Sequence, residues 1–248
     1  MATYVRGQMV TDDNAAELIA ALTYGDLKVT GRLVDASNAT LFGEISVGEE
    51  VFNCIYKPVT GERPLWDFPD GTLANREFAA YLISEELGIS CVPPTVLRDG
   101  PFGYGMVQLW IDIDEAIDLA ELYRRDLLEL RKIALFDAVI NNTDRKIGHL
   151  LPISEEEIYG CDHGVTFHVD DKLRTVLWQW ESEPLTASEK ESLTALSLSL
   201  SGEVGERLTS LITADEIHAL KLRVSRLINE GIFPSPSPDW PAVPWPPF

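Results

Sequence analysis

Basic charge is what this sequence is short of. Twenty lysines and arginines stand against forty aspartates and glutamates, a formal net charge of −20. Such a surface repels nucleic acid and anionic headgroups at long range, which excludes nucleic-acid partners and argues against stable membrane association. Cysteine is scarce as well. Cys54, Cys91 and Cys161 lie far apart, an odd set with neither a disulfide framework nor zinc-ligand spacing. Long apolar runs are missing. The strongest, "IALFDAVI", is broken by Asp137 and falls short of the roughly 20 residues that a membrane helix needs. The opening stretch, "MATYVRGQMV", carries no signal-peptide pattern, so cytoplasmic residence is the simplest expectation.

What is present has an order. A chain of 248 residues suits one large domain or two lobes sharing a cleft. Helix-cap chemistry at residues 11–14 precedes "AAELIAAL" and predicts a short first helix. The apolar period then changes. "LKVTGRL", "TLFGEISV" and "EVFNCIYKP" read as an antiparallel meander ending at Lys57 and Pro58. A proline- and glycine-rich loop, "TGERPLWDFPDG", leads into the helix "TLANREFAAYLISEELG". Thr72 or Asn75 caps it, Phe78, Leu82 and Ile83 give its apolar face, and Gly88 stops it. "VPPTVLRDG" and "YGMVQLWIDI" read as two further strands. The chain turns helical from about Asp114, most clearly in "RRDLLELRKIALFDAVIN". "EIYGCDHGVTFH" reads as a short hairpin, "LRTVLWQW" follows, and residues 185–232 read as helical.

The expectation is therefore α+β: a small antiparallel-sheet lobe with one main helix, then a mostly helical lobe, with a cleft between them as the ligand site. The divisions are residues 1–110, 111–233 and 234–248. The last segment, "PSPSPDWPAVPWPPF", holds seven of the fifteen prolines and can be neither a regular helix nor a central strand. It is either a mobile tail or an extended arm docked through Trp240, Trp245 and Phe248.

Four features in fixed order point to chemistry. Lys57 ends the third strand of the meander, and Glu77 lies on the helix twenty residues on. "NNTDRKIGHL" gathers Asn141, Asn142, Asp144, Arg145 and His149 in one loop, more polar groups than a helix exit requires. In "CDHG", Asp162 precedes a glycine that allows a sharp turn. A lysine, a helix glutamate, a loop aspartate, a second ligand and a turn aspartate are the parts of a phosphoryl-transfer site. In that chemistry the lysine holds nucleotide phosphates, a divalent metal bridges phosphate and carboxylate, and the loop aspartate orients the attacking hydroxyl. Outside this set, Asp137 is expected to bond nearby backbone and brace the Asp144 loop. His163, His168 and Cys161 read as packing residues, and Trp66, Trp178 and Trp180 as core or cleft wall.

Over residues 30–180 the sequence resembles the phosphatidylinositol 3-/4-kinase superfamily, relatives of the protein kinases. Within it, the closer resemblance is to small actinobacterial phosphatidylinositol 3-/4-kinase-like proteins. The segments that carry it are "FNCIYKP", "PLWDFPDGTLANREFAAYLISEELG", "VPPTVLRDGPFGYGMVQLW", "NNTDRKIGHL" and "CDHGVTFH...DKLRTVLW". The resemblance implies a two-lobed kinase-like fold with ATP and Mg²⁺ or Mn²⁺ as cofactors. It implies that Lys57 contacts ATP phosphates, Glu77 orients Lys57, and Asp144, next to Arg145, is the catalytic-loop aspartate. Asp162 then binds metal, residues 106–110 form the hinge, and the backbone of Gln108, Leu109 and Trp110 meets the adenine. Ser37 and Asn38 lie over the phosphates.

The sequence departs from the family pattern twice. An asparagine is usual five residues after the aspartate of the Asp-Arg pair, and His149 stands there. Its imidazole is either a metal ligand, better suited to Mn²⁺ than to Mg²⁺, or a structural residue. The segment after Asp162 is also poor in bases. Lys172 and Arg174 are its only cations before Trp178, and they bind one acidic group or cap a solvated turn. The resulting expectation is an ATP-dependent kinase acting on a hydroxyl of a soluble small molecule or protein. The rivals are a nucleotide-binding regulator with little turnover, an AMP transferase, a lipid kinase, and a purely structural interaction protein.

Overall fold

The computed structural model describes residues 14–33 and 38–248, and the backbone of residues 3–4. Strands β2 (Asp26–Arg32), β3 (Leu41–Val47) and β4 (Glu50–Pro58) form the antiparallel meander expected from their alternation. Strand β4 then pairs with β6 (Gly103–Leu109), and β6 with β5 (Thr95–Gly100), giving the order β2-β3-β4-β6-β5. A two-residue strand β1 (Thr3–Tyr4) lies parallel to the start of β4.

Successive side chains on a strand point to opposite faces. On β4 this turns Phe52, Cys54 and Tyr56 into a core with Leu18, Ala21 and Leu22 of helix α1 (Ala15–Tyr24). The alternate residues, ending at Lys57, face the other way, toward the second lobe. Opposite Pro58, β6 comes so close that a Cβ on Gly105 would sit 2.4 Å from the Lys57 carbonyl oxygen. Only glycine permits that approach.

Helix α2 (Leu73–Glu86), the main helix of the sheet lobe, packs on β5 and β6 and also reaches into the helical lobe. Its Ala79, Ala80, Leu82 and Ile83 join a core with α4 (Leu128–Ile140), α5 (Ala187–Ser199), α6 (Glu203–Leu208) and α7 (Ala214–Glu230). A buried ion pair, Arg76 Nη2 to Glu216 Oε1 at 2.7 Å, ties α2 to α7. Thr72 holds the N-cap position of α2, as one of the two readings had it, but its side chain makes no capping hydrogen bond. The Oγ1 of Thr72 donates to the Pro69 carbonyl, and Asn75 lies inside the helix. The carboxylate of Glu62, in the preceding loop, accepts the N–H groups of Leu73 and Ala74 at 3.1 and 2.8 Å.

Two expectations change in the second half. After Asp114 only a single turn, α3 (Leu119–Leu122), forms before Leu128, because Leu127 is extended and starts α4 afresh. The hairpin pairs β8 (Ile158–Gly160) backward with β7 (Leu150–Pro152), so "CDHG" follows it as an irregular turn. "LRTVLWQW" runs on without regular strand or helix, and one bridge at Thr175 joins it to Arg145.

The proline-rich segment is a docked arm without regular structure. The Ala242 carbonyl accepts from Thr175 N at 3.0 Å and Trp178 Nε1 at 2.9 Å, and the Pro247 carbonyl accepts from Ile147 N at 2.8 Å. Of its three aromatic residues, Trp240 is half-buried while Trp245 and Phe248 are exposed.

Candidate functional site

Lys57 joins two elements far apart in sequence. Its Nζ lies 2.5 Å from Glu77 Oε1 and 2.8 Å from Asp162 Oδ1. Strand alternation aims the lysine, and α2 presents the glutamate. Asp162 arrives from a turn in which it adopts the left-handed φ of +61°, a conformation aspartate tolerates better than most residues. The second oxygen of Glu77 accepts the His163 N–H at 2.8 Å, so one buried carboxylate fixes both the lysine and the turn.

The charges support one another unequally. Burial would lower the Lys57 pKa, but Asp162 and Glu77 outweigh it and hold the ammonium above its ordinary range. Lys57 in turn holds the half-exposed Asp162 carboxyl well below the usual carboxylate range. For the enclosed Glu77, burial raises the pKa against the pull of the ammonium.

The loop after α4 is built by its asparagines. Asn141 takes the left-handed conformation (φ +53°) and ends the helix. Its side chain donates to the carbonyls of His168 and Asp170 and accepts from Lys172 N. Asn142 donates to Asp137 Oδ1 at 2.9 Å and accepts the Asp144 N–H at 3.0 Å, which sets the start of the loop. The Asp144 carboxylate is partly open, 3.3 Å from Lys146 Nζ, and burial raises its pKa.

Arg145, expected among the catalytic groups, is enclosed and does not line the cavity that holds Asp144. Its guanidinium is fully enclosed, paired with Asp137 and donating to the Cys161 carbonyl and to His163 Nε2. A Cβ on Gly160 would meet it at about 3.0 Å, so the glycine leaves room for this side chain. Asp137 braces the loop as expected, but by accepting from the side chains of Arg145, Asn142 and Thr175 rather than from backbone.

His149 approaches Asp162, with Nε2 to Oδ2 at 3.5 Å. Burial lowers its pKa to about 4, so the imidazole is neutral at neutral pH, the form that binds metal. Among the described residues no group of three or more His, Cys, Asp and Glu side chains is arranged for a metal. Two donors, one carboxylate and one neutral imidazole, suit an ion that draws its other ligands from phosphate and water.

A cavity of about 360 Å³ joins the lysine and the acidic groups, and His149 is not among its lining residues. Lys57, Glu77, Asp144 and Asp162 line it, and so does Asn38, whose Oδ1 accepts from Arg63 N at 2.9 Å. Ser37 lies outside the described residues. Gln108, Leu109 and Trp110 do not line it. Gln108 is a buried member of β6. Leu109 N already donates to the Pro94 carbonyl and Trp110 N to the Asn53 carbonyl, so those two amides are not free to meet an adenine. The remaining wall includes Glu62, Asp67 and Trp240, which sequence reasoning missed as site residues, together with Trp66, Lys172 and Arg174. The tryptophan in the proline-flanked "PLWDFP" and the two bases after Asp162 are the signals of this wall in the sequence.

No family model matches the chain. Its fold is similar to that of a Golgi casein kinase solved with Mn and ADP bound, at TM-score 0.58 and 16% identity, covering 89% of this chain and 76% of that one. It is also similar to hydra Fam20 solved with a sugar, at TM-score 0.57 and 14% identity, covering 92% and 91%. At these identities the likeness is one of fold, and that fold is kinase-like. In sequence the chain is 41% identical over 264 residues to Protein Rv2133c of Mycobacterium tuberculosis, covering 92% of this chain and 95% of that protein. The chain therefore belongs to the same family as Protein Rv2133c.

Proposed function

We propose that the chain is a metal-dependent phosphotransferase that moves the γ-phosphoryl group of ATP to a hydroxyl of a soluble small molecule or a protein. The observation that carries this reading is Lys57, held between Glu77 and Asp162 at the mouth of a cavity that also contains Asp144. A strand lysine paired with a helix glutamate beside a metal-binding aspartate is the arrangement kinases use to hold a triphosphate. The kinase-like fold agrees with it. The finer placement among phosphatidylinositol 3-/4-kinase-like proteins rests on sequence motifs and is part of the proposal.

Lys57 neutralises phosphate oxygens, and Glu77 keeps its ammonium aimed. Asp162 and His149 are the residues that would hold a divalent ion. The ion would offset charge on the transferring group, and the Mn/ADP-bound neighbour makes Mn²⁺ the first ion to try. Asp144 accepts the acceptor's hydroxyl proton as the new O–P bond forms and the bond to the β,γ-bridging oxygen breaks, leaving ADP. Alignment of the reactants and fixed charge supply most of the acceleration.

A second reading, AMP transfer, is favoured by one observation: the amides of Leu109 and Trp110 are engaged and lie outside the cavity. Incubation with Mn²⁺, ATP and acceptor panels, followed by mass spectrometry, separates the two. A phosphoryl gain supports the kinase and a nucleotidyl gain rejects it. Nucleotide-dependent thermal stabilisation with no transfer to any acceptor assigns the chain to the regulators.

A further inference from the structure

Arg174 and the C-terminal arm meet beside Asp144. Arg174 N donates to the Asn142 carbonyl at 2.9 Å, and the Arg174 carbonyl accepts from Arg145 N at 3.1 Å. This pairing sets Arg174 alongside the loop that carries Asp144, and its side chain lines the same cavity. Its charge acts on Asp144, whereas Asp162 is governed by Lys57 and His149. The Nε of Arg174 is buried and has no hydrogen-bond partner. Among the described residues no carboxylate forms an ion pair with this guanidinium, although acidic residues outnumber basic ones two to one. A buried donor with no partner points to a ligand that completes it.

Lys172, two residues earlier, is already engaged. Its ammonium lies 2.9 Å from Asp67 Oδ2 and 3.2 Å from His168 Nε2. It also lies 4.8 Å from the ring centroid of Trp66 and 4.3 Å from that of Trp240. Lys172 thus holds two walls together, the Trp66 loop and the arm, and leaves Arg174 to meet a ligand. The arm also grips the floor, because its Ala242 carbonyl accepts from Thr175, the residue after Arg174.

We propose that Arg174, walled by Trp66 and Trp240, forms an acceptor subsite for a small soluble hydroxyl compound carrying one anionic group, a carboxylate or a phosphate. The proline-rich arm is a working part of that subsite. The proposal rests on the phosphotransferase reading and names its substrate class. A guanidinium beside the proton-accepting carboxylate anchors an anion while a neighbouring hydroxyl reaches Asp144. Indole faces offer apolar contact to the carbon skeleton. A cavity of about 360 Å³ is at the small end for ligand sites, and the net charge of −20 repels large anionic partners more than a single small anion.

The test uses the full chain saturated with Mn²⁺ and a non-hydrolysable ATP analogue, so that the nucleotide phosphates occupy their own place. Calorimetric titration then compares D-glucose 6-phosphate and D-gluconate with D-glucose. The expected result is binding of at least one anion at least tenfold tighter than D-glucose. Arg174→Gln and Trp240→Ala each weaken that binding tenfold or more, Arg174→Lys restores part of it, and all three variants keep nucleotide-dependent thermal stabilisation. Equal binding of D-glucose, no anion binding, or an Arg174→Gln variant that binds like the parent overturns the acceptor class while leaving the kinase reading intact. Co-sedimentation with vesicles containing phosphatidylglycerol, or transfer to casein but to none of the small anions, overturns it in favour of a lipid or protein acceptor. Absence of any nucleotide-dependent stabilisation in the parent chain overturns the phosphotransferase reading, and the subsite with it.

Discussion

Arg145 Nη2 lies 2.8 Å from Asp137 Oδ1, and both side chains are fully enclosed. The arginine beside the loop aspartate thus acts inward, as a brace, while Asp144 alone of the pair faces the cavity. Asp137→Ala leaves a buried guanidinium without its partner, and such losses are about 3–5 kcal/mol. Denaturant unfolding measures it. The double variant Asp137→Leu, Arg145→Met recovers most of the loss, since it leaves no lone charge. A loss near that of a surface pair, below about 1 kcal/mol, means the brace is not structural.

The roles of the two aspartates separate by measurement. Asp162→Asn weakens metal-dependent nucleotide binding, read by thermal shift against nucleotide concentration. Asp144→Asn keeps that binding and lowers turnover by about 10²–10⁴-fold. Exchanged phenotypes sink the assignment of roles.

His149 gives the metal-free chain a pH slope. Its folded pKa, about 4, lies below its ordinary 6.5 because burial disfavours the cation. Between those values the unfolded chain binds more protons, so stability rises with pH there. It is complete above about pH 6.5 and falls as pH drops toward 4. His149→Asn removes one contribution of this kind and flattens the slope by an amount on the order of 2–3 kcal/mol over that window. The buried His163, also shifted well below its ordinary value, keeps a slope of the same sign. Unfolding in EDTA at a series of pH values decides the matter, and an unchanged slope counts against the enclosed neutral imidazole.

Glu62 caps α2 from a neighbouring loop. Glu62→Ala removes the acceptor for two backbone donors and costs about 0.5–2 kcal/mol, whereas Asn75→Ala shows no capping loss. Chemical denaturation of the two variants side by side reads the difference. Equal losses place the cap elsewhere.

Trp178→Phe removes the Nε1 donor to Ala242 and keeps a smaller aromatic ring at the position. The expected cost is about 1 kcal/mol, concentrated in the arm. Limited proteolysis within residues 234–248 accelerates while the remaining fragment stays intact. Unchanged cleavage means the arm is held by its other contacts alone.

The sheet and the long helices were readable in the chain because period-two and helical apolar patterns report local burial. Strand β4 carries Lys57 outward by alternation alone, and "NNTDRKIGHL" announces a functional loop by its density of polar groups. Other features hid for a physical reason. The reversed hairpin of Leu150–Pro152 with Ile158–Gly160 depends on which short apolar strand finds a partner, and composition does not specify that. The inward turn of Arg145 depends on a carboxylate one helix turn before the loop and on Gly160, which clears space for it.

By itself, the sequence determined the order of elements, the acidic surface and the residue types that converge on one site. The folded chain alone decided which polar groups remain unpaired there. Asp67 claims Lys172, Asp137 claims Arg145, and among the described residues Arg174 is left without a carboxylate, because pairing depends on distances across the fold that no spacing along the chain encodes.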